Sequence, residues 1–224
     1  VQHSEMFPLV NKESENPLLF FQIWLNMPAE SKMANPHFAM FWDEEIPIYE
    51  TQDEAGNQIR AKVIAGEIDG VKALTPPPDS WAARAESKVT MLLIDLAPGA
   101  SWTLVAEDAG LNRRLYFYDG NSIQAEGHTI AVNTGMHLNS DVDLNIKNTG
   151  EKAARFLLLQ GKPIGEPVAQ YGPFVMNTRN ELEQAFSDYQ KDQFGGWPWQ
   201  DQDQVHGTRG RFAIHEDGRE EEPT

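Results

Sequence analysis

Residues 59–168 are patterned as many short β-strands, and this pattern restricts the fold more than any other feature of the chain. In residues 87–96, apolar side chains recur along the segment, which ends at the turn sequence Ala97-Pro-Gly-Ala. Another turn, residues 119–121, predicts a tight hairpin. Short strands separated by glycine, aspartate and asparagine turns predict an all-β sandwich or barrel. The predicted strands cover residues 60–66, 87–96, 102–105, 114–118, 122–124, 128–132, 136–138, 142–146 and 154–159.

The residues before this region predict further β structure and a connector. Residues 17–25 are apolar on both faces and rich in aromatic side chains, which is typical of a strand buried in a sandwich. Residues 28–58 are predicted to connect that strand to the β region, and their aromatic side chains make them too apolar for a free linker. Asp53-Glu-Ala-Gly-Asn57 predicts a hairpin turn at the end of this connector.

One amphipathic helix is predicted over residues 178–191. Thr178 and Glu181 have the spacing of a capping box. Leu182, Phe186 and Tyr189 fall on one helical face, so the helix is expected to lie on the surface of the protein. The polar tail that follows is expected to end in disordered chain over residues 216–224.

The charge balance argues against direct binding to nucleic acid or to anionic membranes. The chain has 34 acidic and 18 basic residues and a net charge of −16, whereas phosphate-bearing surfaces are bound by clustered Lys and Arg. The longest apolar run, residues 17–25, is too short to span a bilayer, and no signal peptide is visible. Because the chain has no cysteine, no disulfide or thiolate ligand is expected, and we predict a cytoplasmic protein.

His3 and Glu5 are the candidate metal ligands. Side chains two residues apart in a strand point to the same face, so this imidazole and carboxylate could bind one metal ion or form a hydrogen-bonded pair. A catalytic metal usually has three or four ligands, so the pair alone leaves both interpretations open. The other histidines are scattered and are more simply interpreted as surface or hydrogen-bonded residues: His37, His128, His137, His206 and His215.

Several segments, in the same order, resemble the pirin family of the cupin superfamily. Residues 1–8 resemble the family segment G-x-x-H-[AS]-E-M, and residues 21–28 resemble Q-[LI]-W-[VL]-N-[LM]-P. Pro36 with the aromatic residue after it resembles the P-x-[YF] connector, and residues 63–67 match V-I-A-G-E. The most specific match is residues 163–178 to P-[IL]-x-E-P-V-x-x-x-G-P-F-V-M-N-T. Ordered agreement of several segments carries less risk of a false positive than a single motif.

The resemblance implies a bicupin, with two antiparallel double-stranded β-helix barrels facing each other and one C-terminal helix. In the family, three His and one Glu bind a non-haem iron in the N-terminal barrel. His3 and Glu5 match the third His and the Glu, which implies that both bind Fe(II) or another divalent transition metal. The family's other two His lie in an upstream H-P-H-R-G segment, and this chain contains no H-x-H. Both further His ligands are therefore expected from sequence preceding residue 1.

The resemblance also divides the chain into segments. Residues 1–27 are predicted to be the C-terminal part of the N-terminal cupin domain, and residues 28–58 the interdomain connector. Residues 59–177 are predicted to be the C-terminal cupin domain, which is metal-free in the family. Residues 178–196 are predicted to contain the C-terminal helix, and residues 197–224 to form a polar tail.

Two functions from different classes follow from the resemblance. Family members are associated with quercetin 2,3-dioxygenase activity, so one expectation is a metal-dependent dioxygenase that acts on a flavonol-like small molecule. In that case Glu5 is the catalytic base for the hydroxyl proton that the metal acidifies. The second expectation is an iron-dependent regulatory cofactor that binds a protein partner without turnover, since an acidic surface suits protein better than DNA. A metal-free structural β-barrel is the third alternative.

Overall fold

The computed structural model describes residues 5, 7, 9–196, 209–215 and 217–223. The chain divides into two compact units, one of Phe41–Ile164 and one of Val1–Met40 together with Gly165–Thr224. Among the described residues, no helix is long and apolar enough to cross a membrane.

The unit Phe41–Ile164 consists of antiparallel β-sheets. A six-stranded sheet has the order β1-β2-β5-β12-β7-β10, a four-stranded sheet has the order β6-β11-β8-β9, and β3 and β4 form a short ribbon. This arrangement confirms the predicted all-β fold. The strands are β1 Ile48–Gln52, β2 Gln58–Ala65, β3 Glu67–Ile68, β4 Val71–Lys72, β5 Thr90–Leu96, β6 Ser101–Leu104, β7 Asn112–Asp119, β8 Ser122–Ala125, β9 His128–Ala131, β10 Thr134–Leu138, β11 Leu144–Asn148 and β12 Ala154–Gly161. Two 3₁₀ turns, Trp81–Ala83 and Ala85–Ser87, precede β5.

Strict alternation along the central strands builds the core. β12 pairs with β5 on one side and with β7 on the other, so inward-facing residues form rows across the three strands. One row is Ile94, Phe156 and Phe117, and the next is Leu92, Leu158 and Leu115. All six are at most 1% exposed, and the Phe117 and Phe156 rings stack with their centroids 5.2 Å apart. These apolar rows, covered by the four-stranded sheet, supply the main hydrophobic stabilisation of the unit.

The predicted tight hairpin at residues 119–121 is wrong. β7 pairs with β10 and β12, whereas β8 pairs with β9 and β11, so the turn carries the chain from one sheet to the other. Gly120 has φ +131°, and a Cβ there would lie 3.0 Å from the Phe117 ring. The glycine in this turn therefore lets the backbone pass close to the Phe117 ring where the chain crosses from one sheet to the other. The tight hairpin joins β8 to β9 instead, through Glu126 and Gly127, which both have positive φ.

The C-terminal helix forms as predicted. α1, Arg179–Asp192, starts at Thr178, and both hydrogen bonds of the capping box with Glu181 are present. Its apolar face packs on the hairpin of β13, Ala169–Tyr171, and β14, Phe174–Met176. The ring centroids of Phe174 and Phe186 are 4.7 Å apart. This unit also contains the 3₁₀ turns Ala29–Ser31 and Gln193–Gly195 and the ribbon of β15, Ala213–Ile214, and β16, Glu220–Glu221.

Two sequence predictions about the flanking segments are wrong, and a third segment contains a strand that was not predicted. Residues 17–25 form no strand, and Leu18 and Trp24 are 68% and 63% exposed. A strand needs a neighbour for its backbone hydrogen bonds, and none pairs with these residues within the described chain. The predicted connector contains β1, a short edge strand with polar outward residues and therefore a weak hydrophobic period. The tail predicted to be disordered contains β16, whose Glu221 contacts Arg219 and His215.

A single buried side chain ties together three segments of the Phe41–Ile164 unit. Asn148 is 0% exposed, and its Nδ2 donates to the carbonyls of Leu96, Ala97 and Lys152 at 2.8–3.1 Å. Its Oδ1 accepts from the backbone N–H of Gly150 at 2.9 Å. Asn148 therefore holds the end of β11 against the end of β5 and closes the predicted turn at residues 148–151.

We expect Asn148→Ala to lower the free energy of unfolding by roughly 2–4 kcal/mol. The reason is that the three carbonyls that accept from Asn148 Nδ2 lose their hydrogen-bond donor. Urea denaturation of the purified protein measures this. Asn145→Ala is the matched control on the same strand: Asn145 is exposed, so its loss should cost less than about 1 kcal/mol. Equal effects of the two substitutions would contradict the role assigned to Asn148.

The predicted hairpin turn at residues 53–57 is confirmed, and Asp53 organises it. The Asp53 carboxylate accepts from the Asn57 side chain at 3.0 Å and from the backbone N–H groups of Ser101, Asn57 and Ala55 at 2.8–3.0 Å. These hydrogen bonds, led by the one from the Asn57 side chain, lower the pKa of Asp53 from 3.8 to about 2. The ionised carboxylate thus joins the β1–β2 turn to the start of β6.

The depressed pKa of Asp53 predicts a pH-dependent contribution to stability. A lowered folded-state pKa stabilises the fold above the unfolded-state pKa, and this contribution is lost as the pH falls from about 4 to about 2. We expect Asp53→Asn to lower the melting temperature at neutral pH, and the gap to wild type to close over that range. Asp79→Asn, an exposed aspartate outside any such network, is the control. A gap that stays constant down to pH 2 would show that ionisation of Asp53 does not matter.

Candidate functional site

The predicted metal ligands fall at the edge of the described structure. His3 lies outside the described residues, and Glu5 is described and exposed. Across the described part of the chain, no group of three or more His, Asp or Glu side chains is close enough to hold a metal ion. The assignment of His3 and Glu5 as ligands therefore stays a prediction.

The remaining histidines do not converge on one site in the described structure. His37, His128 and His137 are exposed, and His128 begins β9 directly after the β8–β9 turn. His215 Nε2 lies 3.2 Å from Glu221 Oε2, and its ring centroid is 5.2 Å from that of Phe38. His206 lies outside the described residues.

The Phe41–Ile164 unit contains a cavity of about 670 Å³ at one end of the space between its sheets. The inner wall is apolar and is built by Leu92, Leu158, Leu104 and Trp102. One row further along the same three strands, Thr90, Gln160 and Arg113 are cross-strand neighbours and also line the cavity. The rows of the six-stranded sheet thus change from apolar to polar where the cavity begins.

Arg113 is the most unusual side chain in this cavity. It is only 3% exposed, and its Nε and Nη1 atoms are buried without a hydrogen-bond partner among the described residues. The adjacent Gln160 is 7% exposed, and its Oε1 atom also has no partner there. Burial lowers the pKa of the Arg113 guanidinium, while the carboxylates of Glu107 and Asp143 act in the opposite direction. The polar row therefore contains a buried cation beside an unused acceptor.

A further segment forms one side of the cavity and is fixed to the end of β12. Trp81 Nε1 donates to the carbonyl of Lys162 at 2.9 Å. The backbone N–H of Lys162 donates to the carbonyl of Ser87, which is 1% exposed, at 2.7 Å. These bonds place Lys88, in a left-handed conformation, and Arg84 on the cavity lining.

Sequence reasoning did not single out Arg113 or Gln160. The predicted strand 114–118 begins one residue after Arg113, and the predicted strand 154–159 ends one residue before Gln160. The signal was nevertheless present, because Arg113 is in phase with Leu115 and Phe117, and Gln160 is in phase with Phe156 and Leu158. A charged residue at an inward position of a strand is expected to have either a partner or a function.

Structural comparison defines the class of this fold. A crystal structure of quercetin 2,3-dioxygenase from Acinetobacter baumannii aligns with a TM-score of 0.62 and 29% identity, over 77% of this chain and 55% of that chain. The fold is therefore that of a cupin. Residues 91–195 match the family model described as the pirin C-terminal cupin domain.

Sequence relatives agree with that match. A pirin-like protein from Caulobacter vibrioides is 34% identical over 196 residues. A Pseudomonas aeruginosa protein provisionally named quercetin 2,3-dioxygenase is 35% identical over 190 residues. The chain belongs to the pirin family. These alignments cover 87% and 84% of this chain but only 64% and 61% of the two relatives, so the chain spans less than two thirds of their length.

Proposed function

We propose that this chain is part of a metal-dependent dioxygenase of the pirin type, located in the cytoplasm and acting on a flavonol such as quercetin. The supporting observation is the alignment to the Acinetobacter baumannii quercetin 2,3-dioxygenase, at 29% identity over 77% of this chain. Two relatives, from Pseudomonas aeruginosa and Thermoplasma acidophilum, carry the same activity in their provisional names.

In this proposal His3 and Glu5 contribute two of four ligands to Fe(II) or another divalent transition metal. Imidazole and carboxylate are donors that suit non-haem iron, and Glu5 is exposed rather than enclosed in the core. Two donors do not hold a catalytic metal tightly. The proposal therefore takes the other two ligands, both His, from sequence preceding residue 1.

Glu5 has a second role in this proposal. When bound, the metal supplies Lewis-acid polarisation of the flavonol 3-hydroxyl. The Glu5 carboxylate accepts the proton of that hydroxyl and holds it as a general base. His3 acts as a ligand only, since a nitrogen committed to a metal has no free lone pair for a proton.

The second candidate function is an iron-dependent regulatory cofactor that binds a protein without turnover. The net charge of −16 favours this over DNA binding, because it is complementary to a basic protein surface. In this case the protein binds iron through His3 and Glu5 but shows no quercetin-dependent oxygen uptake. Affinity capture with and without iron then separates the two functions, because a regulator should retain its partner in only one metal state.

We expect the complete natural protein, loaded with iron, to consume oxygen when quercetin is added. Glu5→Gln should lower the rate by about 100-fold or more, because it removes the general base. Glu13→Gln, an exposed glutamate in the same segment, is the matched control and should keep the wild-type rate. Metal content is measured on the same samples, and His3→Ala should lower it. If the iron-loaded wild-type protein consumes no more oxygen with quercetin than Glu5→Gln does, the enzymatic function is excluded.

A further inference from the structure

We propose that the cavity of the Phe41–Ile164 unit binds a small monocarboxylate with an apolar body, whose carboxylate pairs with Arg113. The cavity lies in the cupin unit that the family resemblance implies to be metal-free, and its ligand is independent of the proposed dioxygenase activity.

The guanidinium of Arg113 is buried and incompletely hydrogen-bonded within the described residues. A buried charge without a hydrogen-bonded partner is costly, and natural proteins keep one where a ligand completes it. Two of the three guanidinium nitrogens of Arg113 are buried and have no partner within the described residues. The planar guanidinium fork fits the two oxygens of a carboxylate. Arg113 therefore has the chemistry of an anion receptor rather than of a structural ion pair.

Within the described residues, the protein's own carboxylates do not pair with Arg113. Glu107 and Asp143 raise the pKa of Arg113 electrostatically, but neither forms a hydrogen bond or ion pair with it in the described structure. Both are exposed, and Asp143 Oδ1 already accepts from the backbone N–H of Ala106 at 2.6 Å. Within the described residues, the Nε and Nη1 atoms of Arg113 thus have no carboxylate partner, and the side chain lines the cavity that an oxyanion would enter.

The volume and the lining of the cavity define the shape of the ligand. A cavity of about 670 Å³ is within the range of small-molecule sites. Its inner wall, formed by Leu92, Leu158, Leu104 and Trp102, favours an apolar or aromatic body. Gln160, the cross-strand neighbour of Arg113, presents an acceptor without a partner. A donor next to the carboxylate, such as a 2-hydroxyl group, would pair with that acceptor.

The charged residues on the cavity lining limit the charge of the ligand. The cavity lining carries the acidic residues Glu67, Asp69 and Glu107 as well as the basic residues Lys72, Arg84 and Lys88. This mixed rim does not favour a polyanion such as a nucleotide, which would need several clustered cations. One buried guanidinium in the polar row beside the apolar wall matches a single negative charge.

Titration with phenylacetate, followed by protein NMR and calorimetry, tests the proposal. We use the complete protein after treatment with a chelator, so that a metal site cannot account for binding. Phenylacetamide, the neutral analogue, should bind at least roughly tenfold more weakly, because it cannot form the charge-assisted pair. Mandelate, which adds a 2-hydroxyl group, should bind more tightly than phenylacetate, and Gln160→Leu should abolish that gain.

Arg113→Met should weaken phenylacetate binding by roughly tenfold or more. Arg114→Met is the matched control, since Arg114 is the next residue of β7 and faces outward. It should leave the affinity unchanged. Urea denaturation confirms folding of each variant, and Arg113→Lys replaces Arg113→Met if the latter does not fold. Equal binding of phenylacetate and phenylacetamide, an equal loss in both arginine variants, or no binding at millimolar phenylacetate would overturn the proposal.

Discussion

The structure depends on the pairing of β12 between β5 and β7. Because side chains alternate along a strand, this register decides which residues of all three strands face inward. A shift of β12 by one residue would turn Phe156 and Leu158 to the outside. The same register also brings Arg113 beside Gln160 in the last inward row. Core packing and the placement of the polar cavity row are therefore both set by this register.

The sequence was sufficient to predict the elements that rest on local signals. The alternation within β5, the capping box of Thr178 and Glu181, and the turn organised by Asp53 all depend on residues close together in the chain. The all-β class was predictable for the same reason, whereas the cupin fold was predicted from the resemblance of several segments to the pirin family. The Asn148 side chain was not, because its three acceptors come from residues at and beyond the ends of other strands.

The wrong predictions share a physical cause, which is that sequence pattern does not show which strands become partners. The residues 119–121 have hairpin chemistry, yet they turn a corner between sheets because β7 finds its neighbours in β10 and β12. Residues 17–25 have the composition of a buried strand, but in the described structure no strand pairs with them. Strand propensity expresses fit to a half-buried pleated surface, and without that surface the pattern forms no strand.

The two candidate sites differ in how the sequence and the structure support them. His3 and Glu5 are supported by motif likeness, and the geometry of their site depends on donors outside the described residues. Arg113 and Gln160 have no motif, but the structure gives their burial, their register and the wall they face. A buried polar pair such as Arg113 and Gln160 lowers the stability of the fold unless a bound ligand satisfies its hydrogen bonds. In a pirin whose C-terminal cupin unit presents no cluster of metal ligands among its residues, that cost is the physical reason to expect this barrel to bind a ligand of its own.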